Sequence, residues 1–217
     1  MRHKLSKHYM IGAGLEIGAG HFPFPIVNPG VSVLYVDRYP RATLLPHFPV
    51  ATRENIPETD IIANAFKPIP GVLPGKLDFV CNSHCLEHSV RPAEAMDTWL
   101  NYLKPGGYLI MAVPDKTECF DRDRALTDWH DLVETPEEAF KLRQYYDWFE
   151  TIDKLHDSAL QERVHHAQLH DEHIHFCVWD YPMFQEFVSQ YVKTRGNCTV
   201  AEIEKRGAEF FVVLRRT

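Results

Sequence analysis

Apolar and polar positions alternate in short blocks through the first half of the chain. Gly14-Leu15-Glu16-Ile17 reads as a short strand that Gly18 stops, and Val31-Ser32-Val33-Leu34-Tyr35-Val36 is a β-branched run ending at Asp37. A short helix is expected from Pro40 to about His47, then a brief strand at Asp60-Ile61-Ile62. Leu77-Asp78-Phe79-Val80-Cys81 predicts a fourth strand and Tyr108 to Val113 a fifth. Between them Ala93, Met96, Trp99, Leu100 and Leu103 recur at helical spacing behind Pro92, a residue suited to the first turn. Lys104-Pro105-Gly106-Gly107 ends that helix. Pro68, Pro70 and Pro74 make the segment 66–76 an irregular connection, because each ring removes an N–H donor. Strands that alternate with helices imply a parallel sheet with right-handed crossovers.

After Pro114 the period changes. Thr135-Pro136-Glu137-Glu138 has the form of a capping box with proline at the first helical position. Phe140, Leu142, Tyr145, Tyr146, Trp148, Phe149, Ile152 and Leu155 follow at helical spacing, a stripe read as core or interface. Asp180 is placed to cap a helix running through Tyr191. Cys198 to Glu204 and Glu209 to Arg215 form two closing strands joined around Gly207, an antiparallel hairpin on an otherwise parallel sheet. The expected organisation is a single domain over 1–217, with 115–179 as a helical insertion on the acceptor side.

The composition is that of an ordinary globular protein: 217 residues, 45% hydrophobic and 24% charged. A formal charge of −7 argues against a nucleic-acid backbone as the main partner, since phosphate contact needs a basic surface. No apolar run approaches the roughly 18 residues of a membrane span, and Met1 to Met10 lacks the apolar centre of a signal peptide. Cys81, Cys85, Cys119, Cys177 and Cys198 form no CxxC pair, so reduced thiols and a cytoplasmic location are expected.

The chemistry concentrates at two strand ends. Glu16-Ile17-Gly18-Ala19-Gly20 closes the first strand, and its glycines let the backbone approach a ligand more closely than a Cβ permits. Asp37, at the tip of the neighbouring strand, can accept both hydroxyls of a ribose. Ligands of open α/β sheets bind at such carboxyl ends, which points to an adenosine-containing cofactor. A dinucleotide fingerprint needs a third glycine, yet Gly20 is followed by His21-Phe22-Pro23. Neither a Tyr-x-x-x-Lys pair nor a Walker A motif occurs, so dehydrogenase and P-loop readings are disfavoured.

Taken together, Leu15 to Gly20, Asp37, the run Phe79-Val80-Cys81-Asn82-Ser83-His84-Cys85-Leu86-Glu87-His88, and Leu103 to Ile110 resemble the class I S-adenosylmethionine-dependent methyltransferases, close to their type 11 group. The resemblance covers Gly14 to about Pro114. It implies a Rossmann-like, mainly parallel seven-stranded sheet with an antiparallel last strand, and S-adenosylmethionine as cofactor. It also implies that Glu16, Gly18 and Gly20 line the methionine part of the cofactor, that Asp37 holds the ribose, and that Asn64-Ala65 lie by the adenine. Asn64 stands where the family often has an acidic residue. Asn82 and Ser83 would lie where the wall after strand four meets the methyl donor, and His88 would orient that loop or act in catalysis.

The second half also resembles, less closely, methyltransferases of glycan-biosynthesis neighbourhoods through Phe120-Asp121-Arg122-Asp123-Arg124, His130 and 170–179. His173 and His175 fall on one side of an extended segment. Three roles stay open for them: general base for a hydroxyl acceptor, metal ligand, or hydrogen-bonded structural residue. The base role makes His175 and His173 the candidate catalytic residues, and no metal site is assigned, since His84 and His88 lack the carboxylate spacing of a recognised zinc motif. Arg122 and Arg124 bind polar acceptor groups or serve as structural ion-pair residues. The expected activity is O-methylation of a small-molecule or glycan hydroxyl. The alternative is a non-catalytic S-adenosylmethionine-binding partner or regulatory subunit.

Overall fold

A computed structural model describes residues 1–217, built on one seven-stranded sheet. Its strands are β1 (Ala13–Ile17), β2 (Ser32–Asp37), β3 (Ile61–Ile62), β4 (Leu77–Ser83), β5 (Leu103–Pro114), β6 (Cys198–Arg206) and β7 (Glu209–Arg216). They lie in the order β3-β2-β1-β4-β5-β7-β6. β1 pairs in parallel with β2 and with β4, and β4 with β5, whereas β7 runs antiparallel to β5 and to β6. This is a Rossmann-like α/β sheet with its last strand reversed. The chain winds outward through β2 and β3 and then returns to the other side of β1. The carboxyl ends of β1 and β4 therefore diverge at a switch point, where such sheets bind ligands.

Seven helices accompany the sheet: α1 (Arg2–Tyr9), α2 (Arg41–Leu44), α3 (Pro92–Tyr102), α4 (Trp129–Glu134), α5 (Glu137–Thr151), α6 (Asp157–His170) and α7 (Tyr181–Arg195). Strand alternation divides the core between the two faces. Leu15, Ile17, Val80, Leu109, Met111, Val212 and Leu214 pack with Met96, Trp99 and Leu100 of α3 and Phe184 and Phe187 of α7. The opposite face sets Phe79, Cys81, Ile110, Ala112 and Val213 against Leu5 of α1 and Phe24. Gly14 is required at this junction, because a Cβ there would stand 2.4 Å from the Phe79 ring.

The segment 66–76 is irregular apart from turns, as its prolines dictate. Asp180 caps α7 by accepting the Met183 N–H at 2.9 Å. Two expectations need correction. Thr135 does not cap α5, which starts at Glu137 with no side-chain cap; its carbonyl instead accepts Arg91 Nη2 at 2.7 Å. The stripe through Leu155 extends past the helix, which stops at Thr151, and α6 then follows as an element that its apolar spacing did not announce.

Residues 171–180 form no strand or helix, yet Ile174 to Trp179 are all buried. Backbone bonds stitch this run in place: Cys177 N–H to the Glu87 carbonyl, Thr127 N–H to the Val178 carbonyl, and Lys116 N–H to the Trp179 carbonyl, all at 2.9–3.0 Å. The run ties the helices after β5 to the loop after β4. No helix is long and apolar enough to cross a membrane.

Candidate functional site

A cleft of about 450 Å³ opens over the ends of β1 and β2, a size common for small-molecule sites. Gly18 and Asp37 contribute from those strand ends, Asn64 and Ala65 from the loop after β3, His88 from the turn after β4, and His173 from the buried run's leading edge. Ile17, Val36 and Phe66 supply apolar walls.

Gly18 adopts φ +62°, and a Cβ there would meet nothing nearer than Cys85 Sγ at 3.7 Å. Backbone conformation, not lack of room, calls for glycine at this turn. One carboxylate oxygen of Asp37 accepts the Tyr39 N–H at 3.1 Å. Burial pushes the Asp37 pKa up, the environment of a carboxylate that lacks a full set of donors. Asn64 Oδ1 accepts the Phe66 N–H at 3.1 Å, which leaves its amide nitrogen as a donor. Arg38, also on the wall, has a buried Nη1 with no partner.

Glu16, Gly20, Asn82 and Ser83 do not line this cleft. Glu16 points to the other face, fully buried, where Oε1 accepts the Phe24 N–H at 2.8 Å and Oε2 has no partner. Burial raises its pKa to about 8. Gly20 (φ +53°) turns the chain beside the Phe48 ring. Ser83 Oγ accepts from Arg2 of α1 at 2.6 Å, and the same guanidinium reaches Glu209 and the Phe22 carbonyl. Asn82 is buried with neither side-chain amide atom paired. Arg2 thus closes the side of the strand ends away from the cleft, a contact that nothing in the local pattern of residues 1–10 signals.

His173 and His175 part company. His173 is exposed at the cleft wall, its pKa lowered by partial desolvation and by the Arg38 guanidinium. His175 is buried and absent from that wall; its Nδ1 donates to Asp121 at 2.6 Å. Asp121 in turn receives Arg124 Nη1 at 2.8 Å, and its pKa is lowered because the bonds to His175 and Arg124 outweigh burial. Arg124 is itself buried, binding Asp147, Gln144 and the His175 carbonyl, so of the two arginines in this segment it is the structural one. Arg122 donates to the Thr117 carbonyl at 3.1 Å, and His130 pairs on the surface with Glu134. Glu87, fully buried beside His175 at 3.9 Å, is the residue the sequence left without a role. Its place in the Leu-Glu-His run was legible, but only the fold shows that residue 175 faces it.

A family model described as a methyltransferase domain matches residues 12–174. The chain belongs to this methyltransferase family. Solved structures similar to the methyltransferase share its fold. One is a SAM-dependent methyltransferase from Aquifex aeolicus, 13% identical with a TM-score of 0.52, the match covering 98% of this chain and 86% of that one. Another is the PH0226 protein of Pyrococcus horikoshii OT3, 17% identical with a TM-score of 0.56, covering 99% and 86%. A third is the plantazolicin methyltransferase BpumL in complex with SAH, 8% identical with a TM-score of 0.51, covering 95% and 76%. No curated protein matches the chain.

The cofactor of the methyltransferase is S-adenosylmethionine, and the cleft suits it. The left-handed turn at Gly18, the incompletely bonded Asp37 carboxylate and the unpartnered Arg38 Nη1 are groups that a polar ligand with an apolar ring system would satisfy.

Proposed function

We propose that this methyltransferase methylates a hydroxyl oxygen of a small molecule or glycan, with His173 as the base. The observation that carries this reading is the sharing of one cleft wall by Gly18, Asp37 and His173. The first two come from the strand ends where a cofactor sits, and the third from the segment after β5. Asp37 would hold the ribose, Asn64 and Ala65 would flank the adenine, and Gly18 would let the backbone come close. Glu16 and Ser83 then support the strand ends from behind, and Gly20 and Asn82 stand outside the cleft wall. The segment 115–179 forms the acceptor side and shapes acceptor choice.

S-adenosylmethionine supplies an electrophilic methyl carbon. The chain's own task is alignment in a dry pocket, which carries much of such a rate, and removal of the hydroxyl proton. A neutral imidazole suits that removal. Burial and Asp121 engage His175 elsewhere, so of the two candidate bases His173 is the one on the cleft wall.

The test is formation of S-adenosylhomocysteine against a panel of sugars, phenols and carboxylates. Hydroxyl acceptors are expected to turn over, and His173→Ala to lower kcat by about 10²–10⁴-fold with cofactor affinity unchanged. Turnover confined to carboxylates, or an unaltered kcat in His173→Ala, would overturn the proposal.

A further inference from the structure

Bordering the cleft, three side chains converge on one point. Glu87 and His88 stand on the short turn after β4, and His175 on the buried run 174–179. One ligand-capable atom from each lies within 4.8 Å of the others.

The tautomers are set by the neighbours. His88 Nδ1 donates to the Ile174 carbonyl at 2.9 Å, and His175 Nδ1 donates to the Asp121 carboxylate at 2.6 Å. A carbonyl and an Arg124-paired carboxylate only accept, so Nδ1 is the donor in each ring and Nε2 of the neutral imidazole keeps a bare lone pair. Glu87 is 1% exposed, and neither of its oxygens has a hydrogen-bond partner. The 3.9 Å from Glu87 to His175 Nε2 is too long for a hydrogen bond. A buried carboxylate and two imidazoles thus converge with no hydrogen bond among them. An unpaired carboxylate is costly to bury, and a cation shared with the two imidazoles satisfies it.

We propose that Glu87, His88 and His175 bind one divalent transition-metal ion, zinc or ferrous iron, through a carboxylate oxygen and two Nε2 atoms. Two imidazoles and one carboxylate are the ligand set of such ions, whereas magnesium and calcium take oxygen ligands. Asp121 and the Ile174 carbonyl are the partners that hold ligating imidazoles in orientation. Metal–nitrogen bonds of about 2.0–2.1 Å place tetrahedral ligand atoms roughly 3.4 Å apart, so binding draws the three inward by about an ångström. Because Glu87 and His88 come from the sheet's loop and His175 from the segment after β5, the ion would cross-link the two. Three protein ligands leave a fourth position, and His88 also forms part of the cleft wall. The site stands whether or not His173 is the base.

The protein, freed of any tag and stripped with a chelator, is titrated with zinc and with cobalt(II). One equivalent is expected per chain, with cobalt d–d absorption of a low-coordinate nitrogen–oxygen site. Glu87→Gln and His175→Ala should each weaken binding by more than the roughly 10–100-fold typical of an orienting residue. The control is His166→Ala with His170→Ala, a surface pair whose rings lie 4.3 Å apart, and it should retain the full equivalent. No bound metal would mean that Glu87 carries a proton instead and would overturn the proposal. So would binding that survives Glu87→Gln but vanishes in the surface control. Should the site variants fail to fold by circular dichroism, anomalous diffraction from wild-type crystals grown with cobalt(II) decides. A peak bonded to the three side chains supports the site, and its absence there rejects it.

Discussion

Asp37 and Glu16 are carboxylates on neighbouring strands in opposite circumstances. Asp37 stands at the cleft with one oxygen held by Tyr39, so Asp37→Ala removes an acceptor for two ribose hydroxyls. Cofactor affinity should fall by about 1.5–3 kcal/mol, roughly 10–150-fold. Titration calorimetry checks this, and wild-type affinity in the variant would place the ribose elsewhere. Glu16 is sealed on the other face, its pKa raised from 4.5 to about 8 by desolvation. A carboxyl whose folded pKa lies above its unfolded value binds more protons when folded, so it destabilises as it ionises. Below about pH 4.5 it has no effect; the destabilisation grows through the interval and is complete above about pH 8. Glu16→Gln should therefore raise the denaturation midpoint at pH 8 and leave it unchanged near pH 4. The ceiling is on the order of 4–5 kcal/mol. Equal effects at both pH values would show that Glu16 is ionised or solvated. Gly18→Ala is a third case. A methyl has room beside Cys85, so the expected loss in cofactor affinity arises from the φ of +62°, a strain of about 1–2 kcal/mol.

At the scale of elements, the run 174–179 is held by few regular bonds and depends on Arg124. That guanidinium is buried and spans Asp121, Gln144, Asp147 and the His175 carbonyl. Arg124→Ala leaves Asp121 in the interior without its cationic partner, held by His175 alone, and should cost about 3–5 kcal/mol in chemical denaturation. Arg122→Ala, which loses one exposed bond to a carbonyl, should change little. If the two were equally mild, Arg124 would not be the keystone of this segment. The same contrast explains what could be read from sequence. β1, β2, β4, β5, α3 and the closing hairpin announce themselves by dense apolar periodicity between glycines and prolines, and Asp180 marks the start of α7. α6 was illegible because its inward face is only Leu160, Val164 and Ala167, among polar and histidine positions. α1 was illegible because just Leu5 and Ser6 are buried on it. Of the cleft residues, Gly18 and Asp37 followed from motif position along the chain, and Asn64 and Ala65 from the family resemblance. The division between His173 and His175 did not: two residues apart in an extended segment, they lie on the same side by simple alternation. The packing of Phe120, Trp148 and His88 against the His175 ring, with its bond to Asp121, separates a buried imidazole from an exposed one.

For the whole molecule, binding at a cleft built from β1, β2 and the segment after β5 couples ligand to global stability. At about 100 times Kd, S-adenosylmethionine or S-adenosylhomocysteine should add roughly 2.7 kcal/mol. For a chain of this length that raises Tm by about 5–10 °C in a thermal shift measurement. NAD should give almost none, and a larger shift with NAD would contradict the cofactor assignment.

The reversed strand has a consequence for synthesis. Pro114 of β5 pairs with Glu209, and Tyr108 with Arg215, so β5 lies beside a strand made about a hundred residues later. On a ribosome adding roughly 5–20 residues per second, β5 waits about 5–20 s for that neighbour. Throughout that interval it presents Tyr108 to Pro114 as an open edge of mostly apolar residues, the kind of surface that pairs with other nascent chains. The tight turn at Gly207 shortens the final step, since β6 and β7 can zip as a hairpin and dock as one unit. Translation speed and chaperone supply, more than equilibrium stability, should therefore govern how much of this protein reaches its native state in a cell.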